Sequence, residues 1–296
     1  MTLPIPDKPY PDWSRFLSAV WMNGSSVRNI DKHEANAAVD RAAESIRDSI
    51  VERNEARSIR PSSFVACGRQ AYFMLKGEEP HKMPDNIGST FAVGHLLHEL
   101  AYAAVKSAMP KGILVETERA VALPDWWPDH PSFNQSGHVD MVLTVTDIEA
   151  ALPFLPKDVI KRHTQMLVDF KTMGSFSVRK HGKAVFGDDP DAFGYTAQLA
   201  IYTDALGIID NGALLVGINR DSLTKPIIPR WVTPEVLKSE AQRIKVAFEM
   251  AIEETDPGEE FLVRHGEDAY FFCGRGGKPG YCPFRTVCKE NATVTD

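Results

Sequence analysis

The segment Met166-Leu167-Val168-Asp169-Phe170-Lys171 is a short apolar run that ends in charge. Its length and composition predict a β-strand. Side chains two residues apart on a strand lie on one face of the sheet, so the Asp169 carboxylate and the Lys171 ammonium are predicted to lie side by side. Such a pair can be an ordinary ion pair at a strand end. It also suits hydrolytic metal chemistry, in which the carboxylate holds a hard cation such as Mg²⁺ and the lysine orients the attacking water.

The elements predicted around this strand define an α/β fold with a mixed central sheet flanked by helices. The predicted strands are 113–123, 136–145 and 213–219, and the predicted helices are 32–57, 88–106, 192–206 and 233–254. Thr233 is expected to cap the last helix, with Pro234 at its first position. Ser62 or Ser63 is expected to cap the short helix that carries Cys67.

Two regions are expected to lie outside this core. The first dozen residues are rich in proline and are expected to run over the surface. Residues 153–163 are polar and are expected to form an insertion near the active site. The basic side chains of this insertion either contact phosphates or form a solvated face; they are Lys157, Lys161, Arg162 and His163.

Composition and charge restrict the class of protein. The 296 residues are 43% hydrophobic and 25% charged, as in ordinary globular chains, and the formal net charge is −7. This charge argues against a broad surface that coats phosphates, although a local basic groove is compatible with it. The first residues lack the pattern of a secretory signal, and no apolar run approaches the roughly 20 residues of a membrane span. We therefore expect a cytoplasmic protein without a membrane partner.

The chain contains four cysteines, which are Cys67, Cys273, Cys282 and Cys288. Thiols stay reduced inside the cell, so metal ligation is favoured over disulfides. Four thiolates are the ligand number of one zinc ion or one iron–sulfur cluster. Structural zinc sites usually take cysteines in pairs about two to four residues apart, and the sequence contains no such pair. The spacing therefore favours iron–sulfur, with zinc as the alternative.

Two further segments hold candidate partners for the charged strand end. Asp140 ends a neighbouring strand-like run and supplies a second carboxylate. A neutral histidine on the helix 88–106 can complete a metal site. His98 and His95 compete for that role, and His138, which shares a strand face with Asp140, is a third candidate.

The predicted helix 192–206 adds polar groups. Gln198 and Tyr202 lie four residues apart and share one face of that helix, with Tyr195 close to the same face. These groups can orient the lysine or touch a nucleic-acid backbone. The same spacing is also typical of a half-buried helix that carries two amphipathic tyrosines.

The order of these segments resembles the RecB-like branch of the PD-(D/E)xK nuclease superfamily. Within it the chain is similar to the iron–sulfur exonucleases, namely the CRISPR-associated adaptation nucleases and the AddB-type nuclease domains. The order is Cys67, Gly94-x3-His98, Asp140, Asp169-Phe170-Lys171, Gln198-x3-Tyr202, Cys273, Cys282 and Cys288. Matching strings are Arg60-Pro61-Ser62-Ser63 before Cys67-Gly68-Arg69-Gln70-Ala71-Tyr72, Asp169-Phe170-Lys171-Thr172, and Cys282-Pro283-Phe284-x3-Cys288. The resemblance runs from about Pro61 to Cys288.

The resemblance implies a restriction-endonuclease-like core over residues 61–290, after an N-terminal helical extension over 1–60 and before a tail over 291–296. One or two Mg²⁺ or Mn²⁺ ions would be bound by His98, Asp140, Asp169 and the carbonyl of Phe170. Lys171 would position the water, and Gln198 and Tyr202 would support the lysine and the DNA strand.

The resemblance also implies a 4Fe–4S cluster, chiefly structural, that joins Cys67 to the C-terminal cysteines Cys273, Cys282 and Cys288. The eight residues between Cys273 and Cys282 form a longer gap than the family usually has, which leaves the cluster type open. The glycines in this gap make the longer loop feasible.

We therefore expect a metal-dependent DNA exonuclease that hydrolyses phosphodiester bonds at DNA ends and prefers single strands. Such strands can thread a narrow channel in which Tyr72, Tyr195 and Tyr202 are available for stacking. One alternative is a catalytically silent iron–sulfur subunit that binds nucleic acid within a recombination or CRISPR adaptation complex. Another is an oxidoreductase that uses the cluster for electron transfer, although no nucleotide-binding glycine fingerprint accompanies it. Viral DNA processing is a further pathway that fits the nuclease.

Overall fold

The computed structural model of the chain describes most of the sequence. The described residues are 3–25, 31–51, 58–64, 67–80, 87–175, 178, 194–221, 227–257 and the C-terminal positions 274–275, 278–279, 282, 284 and 287–288. Within these ranges, no helix combines the length and the apolar character that crossing a membrane requires.

A mixed five-stranded sheet forms the centre of the fold, with strand order β1-β2-β3-β4-β5. The strands are β1 (Ile113–Ala122), β2 (Ser136–Val145), β3 (Gln165–Met173), β4 (Ala213–Asn219) and β5 (Ile228–Val232). β3 and β4 run parallel, and the other neighbouring pairs are antiparallel. The α/β fold with a mixed central sheet that the sequence predicts is therefore confirmed.

Helices cover both faces of this sheet. Those on the first face are α1 (Trp13–Gly24), α5 (Ile87–Ala108), α6 (Ile148–Ala151) and α7 (Lys157–Arg162), with α2 (Lys32–Val51) packed on α5. Those on the second face are α4 (Gly68–Leu75), α8 (Tyr195–Ala205) and α9 (Pro234–Ile252), with α3 (Pro61–Phe64) beside α4 and α8. The fold thus has three layers, with one apolar core on each side of the sheet.

Strand β3 shows how the sheet directs its side chains. Met166 and Val168 are buried on the α1 and α5 side, whereas Leu167 is buried on the α8 and α9 side. Asp169 and Lys171 follow Leu167 at two-residue steps, so both face α8. The shared face that the sequence predicts for Asp169 and Lys171 is confirmed, since their side chains are in contact.

Strands β1 and β2 exchange faces partway along their length. Ile113 and Val121 lie in opposite cores although their positions differ by an even number. The same holds for Val139 and Met141. A regular strand would keep each pair on one face. The exchange occurs at Glu118, whose φ of 49° lies in the left-handed region. The register of the neighbouring pairs places Glu118 opposite Asp140.

Residues 3–12 run over the surface, as the sequence predicts, apart from one buried anchor. Leu3 is buried, and its N–H donates to the carbonyl of Ala108 at the end of α5. Helix α1, which follows this segment and was not predicted, buries Trp13 and Phe16 in the same core as Phe170. Apolar burial of Leu3 and of α1 therefore fixes the two ends of an otherwise surface-lying segment.

The helix boundaries mostly follow the capping signals. Thr233 caps α9 by accepting the N–H of Val236, with Pro234 at the first position, as predicted. The expectation for Ser62 and Ser63 is wrong, because both lie inside α3, and Cys67 itself is the N-cap residue of α4. Strand β5 was not predicted.

The region 153–163 is not a polar insertion at the carboxylates. Its helix α7 buries Val159 and Ile160 in the core, while Lys157, Lys161 and Arg162 stay exposed. The helix joins β2 to β3 at the closed end of their hairpin. Asp140 lies five residues away along β2, a distance of roughly 17 Å at the usual rise per residue.

Two helical glycines test this packing. A Cβ on Gly24, the last residue of α1, would lie 1.9 Å from the carbonyl oxygen of Ala104 on α5, so the helices would have to separate. We expect Gly24→Ala to lower the free energy of unfolding by about 3 kcal/mol. The control is Gly94→Ala in α5, where the nearest atom is Thr172 Oγ1 at 3.9 Å and alanine should raise stability by about 1 kcal/mol. Urea unfolding measures both, and a Gly24→Ala protein as stable as the wild type would contradict the close contact.

Candidate functional site

The ladder between β2 and β3 ends at the two candidate carboxylates. Its last pair is Met141 with Val168, so the next pair would join Asp140 to Asp169. At that position the Asp140 carboxylate replaces the ladder, because its Oδ2 accepts the backbone N–H of Phe170 at 2.7 Å. β3 remains paired with β4 beyond this point. β2 and β3 therefore diverge, and we call the opening between them the cleft.

Lys171 is held in the cleft between Asp169 and Gln198. Its Nζ donates to Asp169 Oδ1 and to Gln198 Oε1, each at 3.0 Å, and lies 2.8 Å from Asp169 Oδ2. The same Nζ lies 5.2 Å from the centroid of the Tyr195 ring on the first turn of α8. The Gln198 side chain also hydrogen-bonds Tyr202, one turn later in α8. These contacts fix the position of the ammonium, whose side chain is 16% exposed.

Tyr202 is fixed in turn by β2. It is buried, and a Cβ on Gly137 would lie 2.8 Å from its hydroxyl oxygen, so the ring packs on the bare backbone of β2. A buried ring offers no free face for a base, so the expectation that Tyr202 stacks on DNA is wrong. Of the roles that the sequence predicted for Tyr202, support of Gln198 remains.

The structure places His98 next to Asp140. On α5, His98 has its Nδ1 3.8 Å from Asp140 Oδ2, which is too long for a hydrogen bond. Burial, and then the charge of Lys171, lower the pKa of His98 to about 4, so the imidazole is neutral at pH 7, the form that binds metals. His95 acts electrostatically on both His98 and Asp140, and His138 is exposed on β2.

Burial and mutual repulsion shift the acids of the cleft. Burial, and next the Asp140 carboxylate, raise the pKa of Asp169 to about 6 even though Lys171 opposes the shift. Burial likewise raises the pKa of Asp140 against the effect of Lys171. For Lys171, burial favours a lower pKa, but Asp169 and Asp140 outweigh it and the pKa is raised. Two carboxylates thus face one ammonium, and a further cation would relieve their repulsion.

Glu118 is a third acid at the cleft that sequence reasoning missed. Glu118 lies on β1, opposite Asp140 of β2. The Tyr102 hydroxyl on α5 donates to Glu118 Oε1 at 2.7 Å. Glu118 is an exposed residue, but partial desolvation of its carboxylate, with a further contribution from Asp140, raises the pKa of Glu118 to about 7. Tyr102 lies one turn after His98 on α5, a spacing that could have indicated it. Only the register of β1 on β2 connects Glu118 to the site, and the sequence does not reveal that register.

The donor set of the cleft fits a hard cation. Asp169 is buried, and Lys171 Nζ lies 3.0 Å from its Oδ1 and 2.8 Å from its Oδ2. Carboxylate oxygens and a neutral imidazole are ligands that Mg²⁺ and Mn²⁺ accept. Among the described residues, no group of three or more histidine, cysteine, aspartate or glutamate side chains is already arranged to hold a metal ion. The fit therefore rests on donor chemistry and on the two carboxylates that share the single ammonium of Lys171.

Three of the four cysteines are described, and none of these three forms a disulfide. Cys67 at the start of α4 and Cys282 are buried, and Cys288 is half-buried. Arg69 brings two of them together: its Nη1 donates to Cys288 Sγ at 3.5 Å, and Cys67 also acts electrostatically on the guanidinium. Cys273 lies outside the described residues, so its predicted ligand role stays a prediction.

Comparisons with known proteins were made for the whole chain. No protein-family model matches it, and no curated protein matches it. Among solved structures it is similar to the crystal structure of SSO0001, with 15% sequence identity and a TM-score of 0.40, over 85% of this chain and 96% of that one. A likeness at this level carries no functional argument, so function has to be inferred from the site itself.

The raised pKa of Asp169 makes stability depend on pH. The folded protein keeps a proton that the unfolded chain releases, because the pKa rises from 3.8 to about 6 on folding. The contribution of Asp169 to the free energy of unfolding should therefore fall by about 3 kcal/mol as pH rises from about 4 to about 6, at 1.36 kcal/mol per pKa unit, while the lowered pKa of His98 acts in the opposite direction. Asn cannot ionise, so Asp169→Asn in metal-free buffer should remove the Asp169 contribution, which appears as a pH-dependent difference from the wild type.

Urea unfolding of wild type and Asp169→Asn at pH 4 and pH 7 measures the difference. The variant should gain stability relative to the wild type at pH 7 and not at pH 4. Asp7→Asn, at an exposed position near the N-terminus, is the control and should follow the wild type at both pH values. A constant difference between Asp169→Asn and wild type across the range would contradict the shift.

Proposed function

We propose that the protein is a metal-dependent deoxyribonuclease with a restriction-endonuclease-like core of the RecB-like PD-(D/E)xK type. The observation that carries the proposal is the position of Lys171, whose Nζ lies 3.0 Å from both Asp169 Oδ1 and Gln198 Oε1 where β2 and β3 diverge. An ammonium fixed beside two carboxylates, with three protons to donate, is suited to hold a water molecule against a phosphate.

The residues that would hold Mg²⁺ or Mn²⁺ are Asp140, Asp169, His98 and the carbonyl of Phe170. When bound, the cation supplies a Lewis acid that lowers the pKa of water and offsets negative charge on the phosphate. The raised pKa values of both acids support this assignment: burial raises the pKa of Asp140 and of Asp169, and Asp140 adds to the shift of Asp169, so the ionised pair needs more positive charge than Lys171 provides.

The chain's own residues would then act in a simple order. Lys171 orients the water whose oxygen forms the new bond to phosphorus while the bond to the leaving ester oxygen breaks; the attacking water releases a proton to solvent, and solvent protonates the leaving oxygen. Gln198 keeps Lys171 in place, and Tyr202 keeps Gln198 in place. Neutral His98 remains a ligand rather than a proton donor, since the pKa of His98 is lowered to about 4.

The shape of the site supports an exonuclease that takes DNA ends and prefers single strands. Asp169 is 2% exposed, so a strand has to enter the cleft for its phosphate to reach this carboxylate. A strand end can enter more readily than the outer face of a duplex. Tyr195, half-buried beside Lys171, and Tyr72, with Lys76 Nζ 5.7 Å from its ring centroid, remain candidates for base stacking.

We also propose that Cys67, Cys273, Cys282 and Cys288 hold a 4Fe–4S cluster whose role is structural. The contact of Arg69 with Cys288, and its electrostatic link to Cys67, support a shared thiolate site. Proteins of recombination or of CRISPR adaptation are the proposed partners. In this arrangement the cluster closes the fold, and the chemistry stays at the cleft.

Replacement of Lys171 tests the nuclease. Lys171→Met should lower DNA hydrolysis by at least about 100-fold, the usual cost of removing one group that stabilises a transition state. The assay is digestion of end-labelled single- and double-stranded DNA with Mg²⁺ or Mn²⁺, and Lys238→Met, which removes an exposed pair with Asp210, is the control. Equal digestion by Lys171→Met and wild type would overturn the assigned mechanism. A wild type that binds DNA and never cleaves it would favour the silent binding subunit.

Cysteine and lysine replacements should separate the cluster from the chemistry. After anaerobic purification, Cys67→Ser or Cys282→Ser should lose iron and sulfide, unfold more easily and lose activity as a consequence. Lys171→Met should lose activity with iron, sulfide and visible absorbance unchanged. Iron and sulfide assays with thermal unfolding measure this, and a Lys171→Met protein that also loses iron would contradict two independent sites.

A further inference from the structure

We propose that Arg69 and Gln70, at the second and third positions of α4, are the N–H···S donors of the thiolate site formed by Cys67, Cys282 and Cys288. The inference rests on the iron–sulfur cluster of the proposed function and assigns the residues that orient it and set its reduction potential. The ligand class is an anionic metal–thiolate cluster, and both residues act on it as positioning residues.

One nitrogen of the Arg69 guanidinium, Nη1, does not bond Asp256 and donates to sulfur instead. Arg69 is 5% exposed. Its Nε and Nη2 donate to Asp256 Oδ1 at 2.9 Å and Oδ2 at 2.6 Å, and Nη1 donates to Cys288 Sγ at 3.5 Å. A buried guanidinium requires partners along its whole edge. Asp256 pairs with one side of the guanidinium, and Cys288 Sγ lies at the other.

Gln70 supplies the second, independent observation. It is 1% exposed, and neither Nε2 nor Oε1 has a hydrogen-bond partner in the described part of the chain. A buried, unsatisfied amide is costly in folding free energy and is rare in native proteins. Such a group indicates that a ligand completes its hydrogen bonds.

Gln70 lies one turn from Cys67 at the start of α4. Cys67 is the N-cap residue, and Gln70 occupies the third helical position, where its backbone N–H donates to the Cys67 carbonyl. In a capping box the side chain at that position reaches back to the N-cap residue. Among the described residues, the amide bonds neither the N-cap residue nor a cysteine sulfur, so its N–H groups remain to donate to a bound cluster. Arg69 and Gln70 thus belong to the same helix end as the ligand Cys67.

Hydrogen bonds to sulfur and a nearby positive charge stabilise the more reduced, more negative form of a cluster. Their removal should therefore lower its reduction potential. Arg69 contributes a full charge at low dielectric, so its effect should exceed that of the neutral Gln70.

The experiment compares wild type with Arg69→Gln, Arg69→Lys and Gln70→Leu as full-length, anaerobically loaded proteins. Arg162→Gln, at an exposed helix position, is the control. Reductive titration followed by visible absorbance and electron paramagnetic resonance gives the reduction potential.

Arg69→Gln should lower the reduced-to-oxidised ratio at fixed potential about tenfold, equivalent to about 59 mV for one electron. Gln70→Leu should lower it about threefold, Arg69→Lys should lie between Arg69→Gln and wild type, and Arg162→Gln should match wild type.

Thermal unfolding adds a readout that does not need activity. Without iron, Gln70→Leu should melt above the wild type, because leucine removes an unsatisfied amide; with the cluster bound, this advantage should shrink or reverse. If the wild type takes up iron and sulfide but the potentials of Arg69→Gln and Gln70→Leu equal those of the wild type, this inference is overturned and the proposed cluster stands. If the wild type takes up neither, both are overturned, while the nuclease at the cleft is tested separately by Lys171→Met.

Discussion

The hydrogen bond from the Phe170 backbone N–H to Asp140 Oδ2 is the interaction on which the site depends. A central strand cannot lose a neighbour without leaving backbone groups unpaired, and an unpaired buried N–H is costly. Here a side-chain carboxylate takes the place of a neighbouring strand's carbonyl, so β2 can leave β3 without that cost. The same carboxylate is thereby fixed across from Asp169. A single contact opens the sheet and positions one of the two acids.

The second constraint is charge. Asp140 and Asp169 face Lys171, Glu118 lies opposite Asp140, and all three acids have raised pKa values. Packing elsewhere keeps them together: α5 brings Tyr102 and His98 from one side, and α8 brings Gln198 from the other. The two apolar cores on opposite faces of the sheet thus hold together carboxylates that repel one another when ionised. Such a group of acids lowers the stability of the empty protein and raises its affinity for cations, which is a common compromise at functional sites.

The sequence predicted those parts of the site that local periodicity encodes. The two-residue period of β3 placed Asp169 beside Lys171, and the four-residue period of α8 placed Gln198 with Tyr202. Long-range register escaped prediction, so Glu118 was missed even though it lies opposite Asp140. The burial of some side chains was also not predicted. Tyr202 was expected to contact DNA, but it packs on Gly137. The region 153–163 was expected to be polar, but two of its apolar residues anchor α7 in the core. The core helix α1, which begins directly after the proline-rich first dozen residues, was also not predicted.

The left-handed backbone at Glu118 has a consequence for protein design. Glycine, or to a lesser degree asparagine, adopts that conformation about 1–2 kcal/mol more favourably than other residues, so the backbone alone would select one of them. A method that chooses residues for fit to the backbone would replace the glutamate, and the redesigned chain would fold better and lack its third acid. Glutamate at this position therefore marks a place where the side chain was retained against the preference of the main chain. Disagreement of that kind between residue and backbone can be searched for in proteins whose sites are unknown.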